Sequence, residues 1–208
     1  MRERFLMELF QCKTRPLNVE DKFSEFLSGG FVAIGYPKLG DLTGLNKQDI
    51  RERLERVYHE DPAQTRYHLG MVNAFCNTMS PGDIVLIEDR NNGNVHVGVL
   101  GVYCFIGELD DIGLSHQRPV DWKAVIPRSE LTPELKEFIR NRPIVTQFKH
   151  PIEVAKLERY INQQLVTTST ETNDLLRKAI SILAEEMESK DVERKTRAAI
   201  AFLHYYKS

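Results

Sequence analysis

Ser80-Pro-Gly-Asp-Ile-Val-Leu-Ile87 opens the stretch of sequence that decides the fold. Isoleucine and valine favour a strand, and the Asn91-Asn-Gly93 that follows contains Asn-Gly, the strongest short signal for a hairpin turn. The run Val95-His-Val-Gly-Val-Leu-Gly-Val-Tyr-Cys-Phe105 then alternates, so that its first three valines share one face. His116-Gln-Arg-Pro-Val-Asp-Trp122 closes the stretch. Together these segments predict a curled β-hairpin with a third strand.

Two glycines, Gly98 and Gly101, interrupt the second strand of this hairpin. A glycine inside a strand suits a bend, a bulge, or the close approach of a ligand or another backbone. Small barrels turn their corners at such residues. The pattern therefore favours a small β-barrel.

Further strands and helices flank the hairpin within the first 150 residues. Asn46, with Asp49 three residues later, caps a helix whose apolar residues recur at helical spacing. Thr132 and Pro133 start another helix, because proline fits the first helical turn. The expected strands are residues 5–12, 31–36 and 144–148, and the expected helices are residues 21–27, 46–61, 64–79 and 132–140.

The pattern changes at His150-Pro151, which marks a candidate domain boundary, since no strand pattern follows it. The sequence predicts helices at residues 152–165, 174–189 and 192–206, with the polar linker Thr167-Thr-Ser-Thr170 after the first. We therefore expect an α+β fold in which a barrel domain (1–150) precedes a helical C-terminal tail (151–208). Roughly fifty residues of helix are marginally stable alone. The tail is thus expected to dock on the barrel or to pair with another chain, which would give a homo-oligomer.

The charge balance limits nucleic-acid binding to a local patch. The chain has 28 Lys and Arg against 30 Asp and Glu, a net charge of −2, whereas many nucleic-acid binders are strongly basic. An alternative is that the candidate arginines line the solvated face of a helix beside acidic residues. The candidates for such a patch are Arg51, Arg53, Arg56 and Arg66.

Cysteine and histidine usage indicates neither a disulfide framework nor a metal site. Cys12, Cys76 and Cys104 are odd in number and show no Cys-x-x-Cys spacing, which is typical of free thiols in a reducing cytosol. The six histidines show no His-x-x-x-His pair. No early stretch has a signal-peptide pattern and no apolar run approaches about eighteen residues. The sequence predicts a cytoplasmic protein without membrane contact, metal or cofactor.

Several motifs also resemble a known family. They are Ser80-Pro-Gly-Asp-Ile-Val85, a strand ending Val-Gly-Val-Leu-Gly-Val-Tyr103, Arg118-Pro-Val-Asp-Trp122, and Phe31-Val-Ala-Ile-Gly-Tyr-Pro-Lys-Leu-Gly-Asp-Leu42. Together they resemble the PUA-like (EVE-type) domain found beside Mrr-type restriction endonucleases. That family usually carries Trp where this chain has Tyr36. The resemblance implies a small β-barrel that reads modified bases, often within a restriction or defence system.

A base reader needs a flat aromatic wall, because stacking contributes about 1–3 kcal/mol per base and accepts any base. The candidates are Tyr36, which follows Gly35, together with Tyr103 and Trp122. The resemblance puts Tyr36 at the mouth of the pocket. Packing in the core is the alternative for Trp122, since large aromatic side chains dominate cores.

Two charged residues complete the candidate base-binding set. Asp41 can accept a hydrogen bond from an exocyclic amine such as that of cytosine, although an Asp after Gly is also a common turn residue. Arg118 can clamp a phosphate or stack on a base. Alternatively, Arg118 pairs with Asp121 or Asp83 and braces the barrel.

These observations favour a non-catalytic binding module that recognises a modified or flipped base in nucleic acid, most simply DNA, and acts with a partner nuclease or helicase. A second hypothesis is an assembly protein whose tail oligomerises it and whose barrel binds a protein or small ligand. A metal-dependent nuclease is a further alternative, because Gln147-Phe148-Lys149 is similar to the Gln-x-Lys strand motif of Mrr-type nucleases. Nucleophile elbows, phosphate loops and dinucleotide fingerprints are absent from the sequence.

Overall fold

A computed structural model of the protein describes residues 7–161, and one curled sheet runs through them. Its strands lie in the order β2-β6-β4-β3-β1-β7, and β5 also pairs with β6. Every pairing is antiparallel except the parallel pairing of β1 with β3. The strands are β1 (Leu9–Cys12), β2 (Phe31–Ile34), β3 (Ile84–Glu88), β4 (Val95–Leu100), β5 (Cys104–Phe105), β6 (His116–Ile126) and β7 (Val145–Gln147).

Two helices begin at the caps that the sequence indicates, Asn46 and Thr132. Asn46 accepts the N–H groups of Gln48 and Asp49, and the Asp49 side chain accepts the N–H of Asn46, which completes a capping box. Asp61 caps the next helix, which passes into a π-helical turn at Ala74–Thr78. The helices are α1 (Phe23–Gly29), α2 (Lys47–Tyr58), α3 (Pro62–Asn73), α4 (Pro133–Phe138) and α5 (Ile152–Ala155).

The predicted hairpin and third strand are confirmed. β3 and β4 pair from Ile84 with Val99 to Glu88 with Val95, and β6 pairs along the other edge of β4. Gly93 in the connecting turn has a φ of 71°, a left-handed value that glycine adopts without strain.

The sheet has a hydrophobic core on each face. Along β3, Val85 and Ile87 contribute to the first core, whereas Ile84 and Leu86 contribute to the second. This alternation follows from the two-residue period of a strand. Helices α1, α2 and α3 contribute buried residues to the first core, and α4 and α5 contribute to the second. The described residues therefore form three layers, with the sheet between two groups of helices.

A β-bulge in β6 changes which face its even-numbered residues cover. Val97 pairs with Ala124 while Gly98 pairs with Trp122, so Lys123 is the extra residue. As a result Trp122 packs against the first core and Ala124 packs against the second. The expected bulge at the second strand's glycine is confirmed, with the extra residue on the neighbouring strand.

The sheet curls without closing among residues 7–161. β2 and β7 are its edge strands, and each pairs with one neighbour in the order given above. The expected α+β class with a curled sheet and flanking helices is confirmed, in the form of a half-barrel.

The predicted helix at residues 152–165 is wrong as a continuous element. α5 ends at Ala155, and Lys156 has a left-handed φ of 52°, which interrupts the helix. Ala155 and Leu157 are buried in the second core. The boundary near residue 150 stays a prediction. The predicted helices at 174–189 and 192–206 and the first residues of the predicted strand at 5–12 lie outside the described residues. No helix within residues 7–161 is long and apolar enough to cross a membrane.

Gly98→Ala is expected to destabilise the fold by roughly 1–3 kcal/mol, because overpacking costs about that much. A Cβ at Gly98 would lie 2.2 Å from Val120 Cγ1 and 2.8 Å from Trp122 Cε3. Gly70→Ala is the matched control: nothing lies within 4 Å of its Cβ, and alanine favours the α3 helix by about 0.5–1 kcal/mol. Urea unfolding of both variants measures the difference, and equal stabilities would contradict the close contact.

Candidate functional site

Asp41 presents a carboxylate on an exposed loop between β2 and α2. Its Oδ1 accepts the N–H of Thr43 at 2.9 Å and the Thr43 hydroxyl at 2.7 Å. These two hydrogen bonds lower the pKa of Asp41, so the group is ionised near neutral pH. Both bonds use Oδ1, and Oδ2 accepts none from the described residues. Asp41 is therefore a fixed anion with one oxygen available to a ligand.

Arg53 of α2 holds the backbone of this loop through two hydrogen bonds. Its Nη1 donates to the carbonyl oxygens of Leu39 at 3.2 Å and Asp41 at 2.6 Å. The guanidinium is thus engaged by the protein itself. Of the other arginines in the predicted patch, Arg56 and Arg66 are exposed and Arg51 is half-buried.

Tyr103 lies beneath the same loop, half-buried. Its Oη donates to His116 Nδ1 at 2.8 Å and accepts the N–H of Leu42 at 3.4 Å. The tyrosine ring lies nearly parallel to the imidazole, with an interplanar angle of 20°. Burial raises the pKa of Tyr103, and the neighbouring Cys76 and Asp41 contribute to the same shift. Tyr103 thus remains a neutral, oriented aromatic ring beside an anionic carboxylate.

His116 links Tyr103 to Tyr36. The histidine is fully buried, and its Nε2 lies 3.3 Å from the carbonyl oxygen of Tyr36. A carbonyl only accepts, so Nε2 carries the proton and Nδ1 is free to accept the Tyr103 hydroxyl. Burial lowers the pKa of His116 below its ordinary value, against weaker opposing effects of the bond to Tyr36 and of Asp110 and Asp41. The neutral imidazole is the form that this network requires.

Tyr36 is buried, with 4% of its surface exposed. Its Oη lies 2.9 Å from His68 Nδ1, and His68 Nε2 lies 3.5 Å from Glu60 Oε1. The ring also contacts Tyr58 edge-on. A base therefore has no open face of Tyr36 on which to stack in this conformation.

Arg118 braces the sheet from within. The side chain is 2% exposed, and it donates at 2.6–3.1 Å to the carbonyl oxygens of Phe75, Cys76, Met79 and Gly101. The expected ion pair with Asp121 or Asp83 is wrong, because Asp121 pairs with Lys123 and Asp83 accepts two backbone N–H groups. Backbone carbonyls supply the partners instead, and they leave no exposed guanidinium face for a phosphate.

The remaining two candidates are Trp122, which packs in the core, and Gly35, which has no room beside it for a ligand. Trp122 Nε1 donates to the carbonyl of Phe26 at 3.2 Å, and its ring packs against the first core. Gly35 lies so close to Pro16 that a Cβ there would be 2.5 Å from the Pro16 carbonyl oxygen. His116 thus links Tyr103 to Tyr36, and the Leu42 N–H connects Tyr103 to the Asp41 loop.

Sequence reasoning missed His116 and His68, the two residues that orient the tyrosines. His116 begins the third strand, two residues before Arg118, and this spacing puts both on one face of β6. That alternation was a usable signal for His116. His68 gave no comparable signal, because its partner lies 32 residues away in sequence.

The described residues offer no nucleophilic thiol or metal cluster. Burial raises the pKa of Cys12 and of Cys76 to about 12, so both thiols stay protonated near neutral pH. Among residues 7–161, no group of three His, Cys, Asp or Glu side chains lies close enough to hold a metal ion. In the nuclease-like motif, Gln147 Nε2 donates to Glu8 Oε2 at 2.6 Å and Lys149 Nζ donates to Gln147 Oε1 at 3.2 Å.

Acid is expected to destabilise the fold through His116. Because burial lowers the folded-state pKa below the ordinary 6.5, the unfolded chain binds more protons just below pH 6.5. The stabilisation is thus complete above that pH and is lost as pH falls toward the folded-state pKa. His116→Asn should be less stable at pH 7.5 and should lose less stability on acidification, as measured by urea unfolding between about pH 7.5 and 5.

His59→Asn is the control for this pH series. His59 is exposed and ends α2 in a left-handed conformation that asparagine tolerates. Its pH profile should match that of the wild type. A His116→Asn profile parallel to that of the wild type would show that His116 does not govern this acid dependence.

Comparison with known proteins finds a family but no individual relative. Neither the curated proteins nor the solved structures include a match to the chain. A family described as a domain of unknown function (DUF8426) matches residues 12–136, which is more than half of the chain and includes Asp41, Tyr103 and His116. The protein therefore belongs to the DUF8426 family.

Proposed function

We propose that the protein is a non-catalytic module that binds nucleic acid, most simply DNA, and reads a modified or flipped base at the Asp41 loop. The observation that carries the proposal is the exposed Asp41 carboxylate, whose Oδ2 is available beside the half-buried ring of Tyr103. A base reader needs this combination, because an aromatic ring binds any base by stacking and a polar group selects among bases.

Asp41 suits a base edge that donates hydrogen bonds. A carboxylate accepts from the N4 amine of cytosine, and one good contact of this kind contributes about 1–3 kcal/mol of discrimination. Thr43 and Arg53 fix the loop before a ligand arrives. A fixed loop loses little conformational entropy on binding, which favours affinity.

The wider fold is compatible with this function. The resemblance to PUA-like (EVE-type) domains rests on motifs that fall in β2, β3, β4 and β6, the strands around the candidate site. A curled sheet with flanking helices suits that architecture. Because the described residues carry no catalytic constellation, the module would pass recognition to a partner nuclease or helicase in a restriction or defence system.

Asp41→Asn is expected to weaken binding to oligonucleotides that carry cytosine by roughly 5- to 150-fold, the equivalent of about 1–3 kcal/mol. The substitution keeps Oδ1 as the acceptor for Thr43 but replaces Oδ2 with an NH₂ donor that opposes the base's own donor. Tyr103→Leu should weaken binding to all bases, since it removes the stacking surface. Fluorescence anisotropy with plain, methylated and hydroxymethylated cytosine in single- and double-stranded DNA and RNA measures both effects.

Two matched controls separate the site from the rest of the surface. Asp111→Asn removes an exposed carboxylate near Asp110, and Tyr67→Leu removes an exposed tyrosine on α3. Both should bind as the wild type does. If Asp41→Asn and Tyr103→Leu fold normally and also bind as the wild type does, the base site is elsewhere or absent.

Assembly is the second candidate function, and exposed apolar side chains favour it. Leu17 lies over Gly113, where a Cβ would be 2.4 Å from Leu17 Cγ, and Val19 and Ile112 in the same two segments are 81% and 51% exposed. Assembly through these residues predicts an oligomer that Val19→Lys with Ile112→Lys dissociates, as measured by size-exclusion chromatography with light scattering. Val125→Lys, on β6, is the control. A monomeric wild type would rule out self-association.

A further inference from the structure

A group of cationic side chains lies at the carboxyl ends of β1 and β3. Because these strands are parallel, Lys13 after β1 and Arg90 after β3 reach the same edge of the sheet. Arg128 follows β6, and Arg140 and Arg142 follow α4, whose end packs on the same face. We name these five residues the hairpin-end cluster.

Hydrogen bonds position two members of the cluster, Lys13 and Arg128, at this end of the sheet. Lys13 Nζ donates to the carbonyl of Ile139 at 2.8 Å, next to Arg140, and Arg128 pairs with Glu88. The pKa of Lys13 is lowered by burial, against an opposing effect of Glu88, and is lowered further by Arg90 and Arg128. Lys13, Arg90 and Arg128 are therefore near enough to repel one another.

The two acidic residues at the end of β3 are already engaged by the protein. Glu88 is engaged with Arg128, and the buried Asp89 accepts the N–H of Asn91. Arg90, Arg140 and Arg142 are exposed and form no ion pair with residues 7–161; their shared feature is a free guanidinium that can bind an anion.

We infer that the hairpin-end cluster binds the phosphate backbone of a nucleic acid, an inference that rests on the proposed function. Guanidinium groups bind phosphate oxygens in a bidentate manner, and several of them at one end of a sheet can contact successive phosphodiesters. A protein with a net charge of −2 attracts a polyanion only where its positive charge is concentrated. The cluster supplies such a concentration at a place different from the arginines that the sequence suggested.

The cluster and the Asp41 loop lie at opposite ends of β6. His116 at the start of β6 bonds to Tyr103 of the base site, whereas Arg128 follows the end of the strand at Ile126. The ten steps between its eleven residues, at about 3.3 Å each, span at most about 33 Å, roughly one turn of B-DNA. A nucleic acid that spans this distance on the protein surface can therefore contact both ends, with phosphates at one and a base at the other.

The test is the salt dependence of binding to DNA without cytosine. A duplex of roughly 20 A·T base pairs, about two helical turns, removes the proposed contact of Asp41 with cytosine and leaves the phosphates. Arg90→Gln with Arg140→Gln should reduce the slope of log K against log salt by about 1.8 between about 50 and 200 mM, or about 0.9 per lost phosphate contact. Affinity should fall at each salt concentration.

Arg56→Gln with Arg66→Gln is the control, since it removes the same charge from exposed arginines of α2 and α3. That pair should leave the slope unchanged. An unchanged slope for Arg90→Gln with Arg140→Gln, or an equal change in both pairs, overturns the inference.

The same titrations separate this inference from the proposed function. Asp41→Asn should keep the salt slope and alter only the preference for cytosine-containing DNA. If Asp41→Asn loses that preference while Arg90→Gln with Arg140→Gln keeps the wild-type slope, the proposed base reading stands and the inference about the cluster is wrong. A wild type that binds no DNA or RNA at low salt overturns both. If it then binds poly-glutamate through the cluster, the partner is an acidic protein instead.

Discussion

The buried guanidinium of Arg118 is the constraint on which the rest of the structure depends. It donates to four backbone carbonyls, three of them in or just after the π-helical turn that ends α3 and the fourth at Gly101 after β4. A π-helical turn breaks the regular α-helical pattern of carbonyl partners, so these groups need other donors. A buried carbonyl without a donor costs about 1–3 kcal/mol, and a buried charge without partners costs more. The charge and the carbonyls thus satisfy each other, and they join the end of this helix to β6 within the first core.

The candidate site follows from the position of Arg118 on β6. His116 precedes it by two residues and so extends to the same side of the strand, where it accepts the Tyr103 hydroxyl and donates to the Tyr36 carbonyl. Gly101, held by Arg118, fixes the chain two residues before Tyr103. The Arg118 guanidinium and both ring nitrogens of His116 have hydrogen-bond partners, and satisfied buried networks are rigid. The loop that carries the exposed Asp41 carboxylate therefore packs on hydrogen-bonded residues that do not have to rearrange when a ligand binds.

Local sequence signals predicted most elements and few of the tertiary roles. The hairpin, the Asn46 capping box and the Thr132 cap depend on neighbouring residues, so they were visible in the sequence. The bulge at Lys123 was visible only as a glycine on the partner strand, because strand register is a tertiary property. Arg118 and Tyr36 were named from the sequence as base-binding candidates, and their actual partners were not foreseen, since backbone carbonyls and a histidine 32 residues away leave no local trace. The grouping of charged residues at strand ends likewise left no local sequence signal. The parallel pairing of β1 and β3 brings Lys13 and Arg90 to the same end of the sheet, although they are 77 positions apart.

The net charge of −2 is the sum of an uneven distribution, and under the proposed function this distribution contributes to specificity. Cations at the hairpin end attract phosphates, whereas Asp41, an ionised carboxylate at the other end of β6, repels them. A polyanion therefore gains nothing by placing its backbone at the Asp41 loop, and only a group that donates hydrogen bonds, such as the amine of an extruded base, interacts favourably there. Discrimination then comes from repulsion of the wrong group as well as attraction of the right one. A basic residue at position 41 would bind nucleic acid more tightly and would read it less well, because phosphate and base would compete for the same place.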